Sequence, residues 1–133
     1  MTLKMYKFGT KSLKLLNSPK LHPKLRLLLN EAIKTSPIDF TIIETVRTIE
    51  QQRIYVAKGT SKTMKSRHIP STNKSGLCEA VDIAPYPIDW KNINRFIILS
   101  QHIKNIAKKL NISITWGGDF KTFFDAPHYE LKN

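Results

Sequence analysis

Few residues in this chain can hold a metal or move a proton, and they are unevenly spaced. The histidines are His22, His68, His102 and His128, and the one cysteine is Cys78. A single cysteine excludes an intramolecular disulfide and a multi-cysteine zinc centre, so any metal falls to histidines and carboxylates. Cys78 itself reads as a small buried thiol ahead of a nucleophile. His22 stands beside Pro23 at a helix start and His102 lies within a long helical stretch. Neither has acidic company that suggests a site.

His68 differs, because it follows Ser66-Arg67 in a long polar segment that leads into the apolar run AVDIA, residues 80–84. On a strand Ala80, Asp82 and Ala84 share one face, with Val81 and Ile83 on the other. A carboxylate in so apolar a strand must be hydrogen-bonded, paired or metal-bound, since burying it bare is costly. An aspartate bonded to backbone amides is the competing reading. His128 sits in DAPHYEL, where His128 and Glu130 face one way and Tyr129 the other. Asp125 precedes His128 across Ala126-Pro127, a turn able to fold its carboxylate towards the same space. Catalytic zinc takes three protein ligands and keeps a position open for water. His68, Asp82 and His128 supply that number with suitable donors. Asp125 then stands where a general base would serve the water and later return a proton to a leaving amine.

The elements that must position these groups follow from periodicity. Leu21, Leu25, Leu28, Leu29, Ala32 and Ile33 predict an amphipathic helix over about 22–35, with Pro23 in its first turn and Ser36-Pro37 as its stop. FTIIETV, 40–46, reads as a strand. Residues 48–57 read as a helix ended by Gly59, and 58–79 as a long loop, which in a compact domain is usually functional. After AVDIA, Asp89 is expected to cap a helix over about 90–110. Its apolar face would hold Trp90, Ile93, Phe96, Ile97, Ile103, Ile106, Ala107 and Leu110. Residues 112–116 and 128–131 complete the strands, with a Gly117-Gly118 turn between them. Residues 1–20 are a basic lead-in without a clear pattern. The mixture predicts an α+β fold of unspecified strand order.

With 133 residues, 41% hydrophobic and 24% charged, the chain matches one globular domain. No apolar run approaches the roughly 20 residues of a membrane helix, and the N-terminus lacks a signal peptide's apolar core and cleavage site. Synthesis in the cytoplasm, with a helper needed for export in any extracellular role, is the expectation. The net charge of +12 implies a polyanionic partner. Its lysines are spread from Lys4 to Lys109, and richness in Lys, Ile and Asn is also what an AT-rich genome encodes. A nucleic-acid-binding module has the charge in its favour but lacks a zinc finger, an RNP motif or a basic helix block.

The order Ser-x-His, Ala-x-Asp on a strand, then Asp-x-x-His-x-Glu-Leu resembles the M15 family of zinc peptidases. That family includes D-Ala-D-Ala carboxypeptidases and dipeptidases, and phage endolysins of the L-alanyl-D-glutamate peptidase type. DFTIIETVRT is similar to its first core strand and following arginine, SRH and AVDIAPY to its two ligand segments, and ISITWGGDF to the strand before its last ligand. The short chain and DAPH ending look most like the endolysin branch. The resemblance runs from about Phe40 to Leu131. It implies one catalytic domain over 1–133, a short central antiparallel sheet flanked by helices, and a zinc site in a cleft, as in hedgehog-like and D,D-peptidase folds.

By the same resemblance His68, Asp82 and His128 are zinc ligands, Asp125 is the catalytic carboxylate, and Arg47 steadies the developing oxyanion. Ser66, Trp116 and Glu130 are weaker substrate-contact candidates, with a core role for Trp116 left open. The implied activity is hydrolysis of peptidoglycan stem peptides by a monomer, at the L-Ala-D-Glu bond or alternatively at D-Ala-D-Ala, with anionic envelope polymers attracting the charged chain. A catalytically silent relative is the other reading, which Asp125 and Arg47 oppose. One departure stands out. The family commonly has His-x-x-Gly-x-Ala-x-Asp, whereas here fourteen positions separate His68 from Asp82 and Cys78 falls where the glycine would. The inserted turn-rich IPSTNKSGL can loop out without moving either ligand, and is expected to reshape one wall of the cleft.

Overall fold

Alternating apolar runs pair into one sheet. In a computed structural model of the chain, described for residues 4–132, the strands are β1 (Phe40–Glu44), β2 (Ala80–Pro85), β3 (Ile114–Trp116) and β4 (His128–Leu131). Every pairing is antiparallel and the order is β1-β2-β4-β3. The helices are α1 (Thr10–Leu16), α2 (Pro23–Thr35), α3 (Ile49–Ala57) and α4 (Ile93–Lys109). The expected α+β architecture is therefore present, and no helix among the described residues is long and apolar enough to cross a membrane.

Side chains on the sheet face opposite Asp82 (Ile42, Val81, Ile83, Tyr129 and Leu131) join Leu25, Leu28 and Leu29 of α2 and Phe96, Leu99 and Ile103 of α4 in one core. α2 starts with Pro23 behind an His22 cap whose Nδ1 accepts from the Lys24 amide at 3.1 Å. His102 Nε2 bonds the Ala32 carbonyl at 2.8 Å, tying α4 to α2. These contacts account for both histidines without a metal. α3 opens on a capping box between Thr48 and Gln51. It closes as expected at Gly59, whose φ of +76° suits glycine.

Two expectations, both for α4, need correction, and one open segment is resolved. α4 begins at Ile93 behind Asn92, because the Asp89 carboxylate instead closes a local turn onto the Lys91 amide at 3.0 Å. Its buried face is Phe96, Leu99, Ser100, Ile103 and Ala107, while Trp90, Ile93 and Ile97 are exposed. The helical register turns the latter two off the core, and Trp90 stacks outside Phe96 with centroids 5.8 Å apart. The basic lead-in contains α1, which carries too few apolar residues to show a period. Tertiary bonds hold it: Ser12 Oγ meets Thr41 Oγ1 at 2.9 Å and accepts from the Ile42 amide at 3.0 Å, and Thr45 Oγ1 donates to the Leu15 carbonyl at 2.9 Å. Residues 1–3 and 133 lie outside the described residues.

Leu28 is fully buried between α2 and the rest of the core. Leu28→Ala is expected to lower the unfolding free energy by about 2–5 kcal/mol, read from the urea midpoint at constant slope.

Candidate active site

Strand register brings the chemistry together. Glu44 pairs with Asp82 across β1–β2, and Asp82 pairs with His128 across β2–β4, so three polar residues form a row on one sheet face. A register shift between Ile42 and Glu44 creates that row by pushing Ile43 out of the pairing. His68 arrives from the loop, anchored where the Arg47 amide donates to its carbonyl at 3.0 Å. One ligand atom each from His68, Asp82 and His128 lie within 4.8 Å of one another.

Proton positions within this group are constrained by the outer partners. His68 Nδ1 faces the Thr45 carbonyl at 2.7 Å, which only accepts, so this nitrogen carries a proton. His128 Nε2 faces Glu130 Oε1 at 2.8 Å and donates to it. The inner nitrogens, His68 Nε2 and His128 Nδ1, are each 3.2 Å from Asp82 Oδ1. Two lone pairs and a carboxylate converging in this way demand a cation, a proton or a metal. Donors held at about 2.0–2.1 Å on tetrahedral corners stand roughly 3.3 Å apart, close to the 3.2 Å of both His–Asp separations.

The electrostatics agree. Burial alone would raise the Asp82 carboxyl, but hydrogen bonds from His128 and His68 hold it well below the usual carboxylate range. Burial disfavours charge on His128, yet its bonds to Asp82 and Glu130 prevail and lift its pKa from 6.5 to about 9. Asp125 moves the other way from Asp82. Burial is the main cause of its raised pKa, opposed by His128 and reinforced by the Asp82 charge. A raised carboxyl beside a group of candidate metal donors has the character of a general base.

Asp125 is placed by backbone contacts that the sequence shows only as a Gly-Gly turn. Its amide donates to the Gly117 carbonyl at 3.0 Å and its carbonyl accepts from the His128 amide at 3.2 Å. A Cβ on Gly117 would lie 2.1 Å from the Asp125 carbonyl oxygen and 3.0 Å from His128 Cβ, so only glycine admits this approach. Trp116, a candidate for the groove wall, is instead buried at 6% exposure. Its indole N–H donates to the Ala126 carbonyl at 2.7 Å, clamping the Asp125–His128 turn from behind.

Arg47 lies beside the cluster, close enough for its charge to act on both Asp82 and Asp125. Its guanidinium bonds both Glu44 oxygens, Gln52 Oε1 at 2.8 Å and Ser66 Oγ at 3.3 Å, and covers the Tyr55 ring at 4.7 Å. Ser66 Oγ also accepts from the His68 amide at 3.2 Å, so its observed contacts are to Arg47 and the backbone of His68.

A family model for phage L-alanyl-D-glutamate peptidases matches residues 4–132. The chain belongs to that family. The L-alanyl-D-glutamate peptidase of Escherichia phage T5 is 34% identical over 133 residues, covering 96% of this chain and 90% of the relative. That of Listeria phage A118 is 31% identical over 101 residues, 74% of this chain and 32% of that longer protein. The crystal structure of Serratia marcescens L-Ala D-Glu endopeptidase ChiX matches with a TM-score of 0.80 at 28% identity, over 95% of this chain and 90% of that one.

Around the peptidase's cluster stand residues that the motifs did not flag. Glu44 and the fully buried Gln52 hold Arg47; the Glu-x-x-Arg spacing in ETVR was the available signal for the first. Phe120 lies 5.7 Å from the His128 ring and 5.6 Å from Phe123, giving the site an aromatic flank whose Phe123 and Phe124 are exposed. Glu130, a substrate-contact candidate, is engaged by His128 and Arg67. Cys78 is fully buried, donates to the Thr45 and Ala80 carbonyls, and has its pKa pushed up to about 11 by burial. A thiol so held is no nucleophile at neutral pH.

Metal must displace the proton that His128 holds. Because the folded pKa is raised from 6.5 to about 9, the imidazolium's stabilisation of the metal-free peptidase is complete below pH 6.5 and disappears as pH rises through 9. Apparent zinc affinity should therefore climb with pH across that window and level off above it, with a proton released on binding. Calorimetry in buffers of different ionisation enthalpy measures both.

Proposed function

We propose that this peptidase hydrolyses the L-alanyl-D-glutamate bond of peptidoglycan stem peptides, using a zinc ion held by His68, Asp82 and His128. The observation that carries the reading is the convergence of two imidazole nitrogens on one carboxylate oxygen beside Asp125, in a chain of this family. Zinc in that position supplies Lewis-acid polarisation and acidifies water.

The chain's own residues perform the remaining steps. Asp125 takes a proton from water as the water oxygen attacks the alanyl carbonyl carbon. Arg47, held in place by Glu44, Gln52 and Ser66, presents a fixed cation to the negative charge that develops on the carbonyl oxygen. Such a contact acts on the transition state because the charge appears only there. When the C–N bond breaks, Asp125 returns the proton to the departing glutamate amine. The aromatic flank at Phe120 and Phe123 offers an apolar wall on one side of the site. The +12 charge holds the peptidase at anionic wall polymers.

Mass spectrometry of fragments released from purified peptidoglycan tests the bond: new D-glutamyl N-termini are expected, and released D-alanine would instead identify a D-Ala-D-Ala peptidase. Asp125→Ala should retain zinc while losing about 10²–10⁴-fold in rate; undiminished wall lysis by this variant refutes the assigned base. A chelator should abolish lysis and added zinc restore it. Lysis should also weaken between low and physiological ionic strength as the Debye length shortens to about 8 Å.

A further inference from the structure

A chain of polar contacts runs from His128 away from the cleft. Glu130 Oε1 accepts from His128 Nε2 at 2.8 Å, and Glu130 Oε2 lies 3.5 Å from Arg67 Nη1. Arg67 Nη2 bonds both Glu79 Oε1 and the Leu131 carbonyl at 2.7 Å. Glu79 Oε2 accepts from Ser75 Oγ at 2.8 Å. Asn73 Nδ2 donates to the carbonyls of Arg67, Ile69 and Leu77 at 2.9, 3.2 and 2.8 Å, closing the insertion on itself. The end of the insertion is fixed as well, by a bridge between Leu21 and Cys78.

We infer that Glu130 and Arg67 are positioning residues for His128, and that Arg67 ties the 69–79 insertion to the metal site. The inference rests on the zinc reading above. Glu130 holds the Nε2 proton and so leaves Nδ1 free to ligate, as carboxylates behind metal-bound imidazoles do elsewhere. Arg67 prevents Glu130 from turning away, and it is shared with Glu79, whose side chain is 8% exposed. The inserted segment is thereby braced on β4, the strand that carries His128, through the Leu131 carbonyl. Its Ser75–Glu79 contact is an outer support of the same assembly.

Glu130→Gln keeps the shape and removes the charge; Arg67→Lys keeps a charge and removes the fork; Glu79→Gln tests the link to the insertion. Zinc affinity by chelator competition and the visible spectrum of the cobalt-substituted chain are measured for each, with circular dichroism confirming the fold. Glu130→Gln is expected to weaken zinc roughly 10- to 100-fold and shift the cobalt bands. Arg67→Lys and Glu79→Gln should weaken it in the same direction by less. Affinities for Glu130→Gln and Arg67→Lys within about twofold of the parent, with unchanged cobalt spectra, overturn the positioning roles. An unchanged Glu79→Gln overturns the tie to the insertion. A parent chain that binds no metal overturns the zinc reading together with this one, whereas a parent that binds zinc but cuts another bond overturns only the assigned substrate.

Discussion

Two imidazole nitrogens converge on one carboxylate oxygen, and that is the contact on which the rest of the molecule depends. Without a cation between them the lone pairs of His68 and His128 face the charge of Asp82 at 3.2 Å. In the metal-free chain the bonds from His128 to Asp82 and Glu130 outweigh burial and raise the His128 pKa. A metal relieves that opposition at both nitrogens together. The arrangement is fixed from outside, since the Thr45 carbonyl and Glu130 hold the outer protons. Partners of this kind convert two flexible rings into a preformed site.

The scaffold spends its irregularities on that contact. A register shift in β1 sets Glu44 opposite Asp82, which places the carboxylate that holds Arg47 on the strand beside Asp82. Gly117 lets the Asp125 turn approach closer than any side chain permits, and the Trp116 indole closes the turn from the core side. Across the sheet the packing is ordinary, an apolar layer shared by β1, β2, β4, α2 and α4. One face of the sheet therefore supplies rigidity and the other carries the charge.

The placement of charge also separates roles among like residues. Asp82 and Asp125 are both aspartates in the cleft, yet their carboxyls shift in opposite directions because only Asp82 receives imidazole hydrogen bonds. Arg47 and Arg67 are likewise both held by glutamates, one on the cleft side by Glu44 and one behind His128 by Glu79 and Glu130. Environment thus gives like residues different ionisation and different partners.

Residue type and period determined much of this by themselves. An apolar strand interrupted by one aspartate, two histidines in suitable segments and a following Asp-x-x-His were enough to nominate the cluster, because a carboxylate in such a strand requires a partner. The helices over 22–35 and 48–57 were legible from spacing and caps. Strand order was not, since pairing partners are set by packing between distant segments and not by local pattern. For the same reason α1, held by Ser12 and Thr45, and the buried clamp of Trp116 were invisible: their energy comes from contacts 10 to 30 residues away. The start of α4 moved from Asp89 to Asn92 because both residues can cap, and only the folded chain decides which carbonyl and amide each one meets. Tertiary structure alone also gave Glu130 its partners, by setting β4 where one carboxylate reaches His128 and Arg67 together.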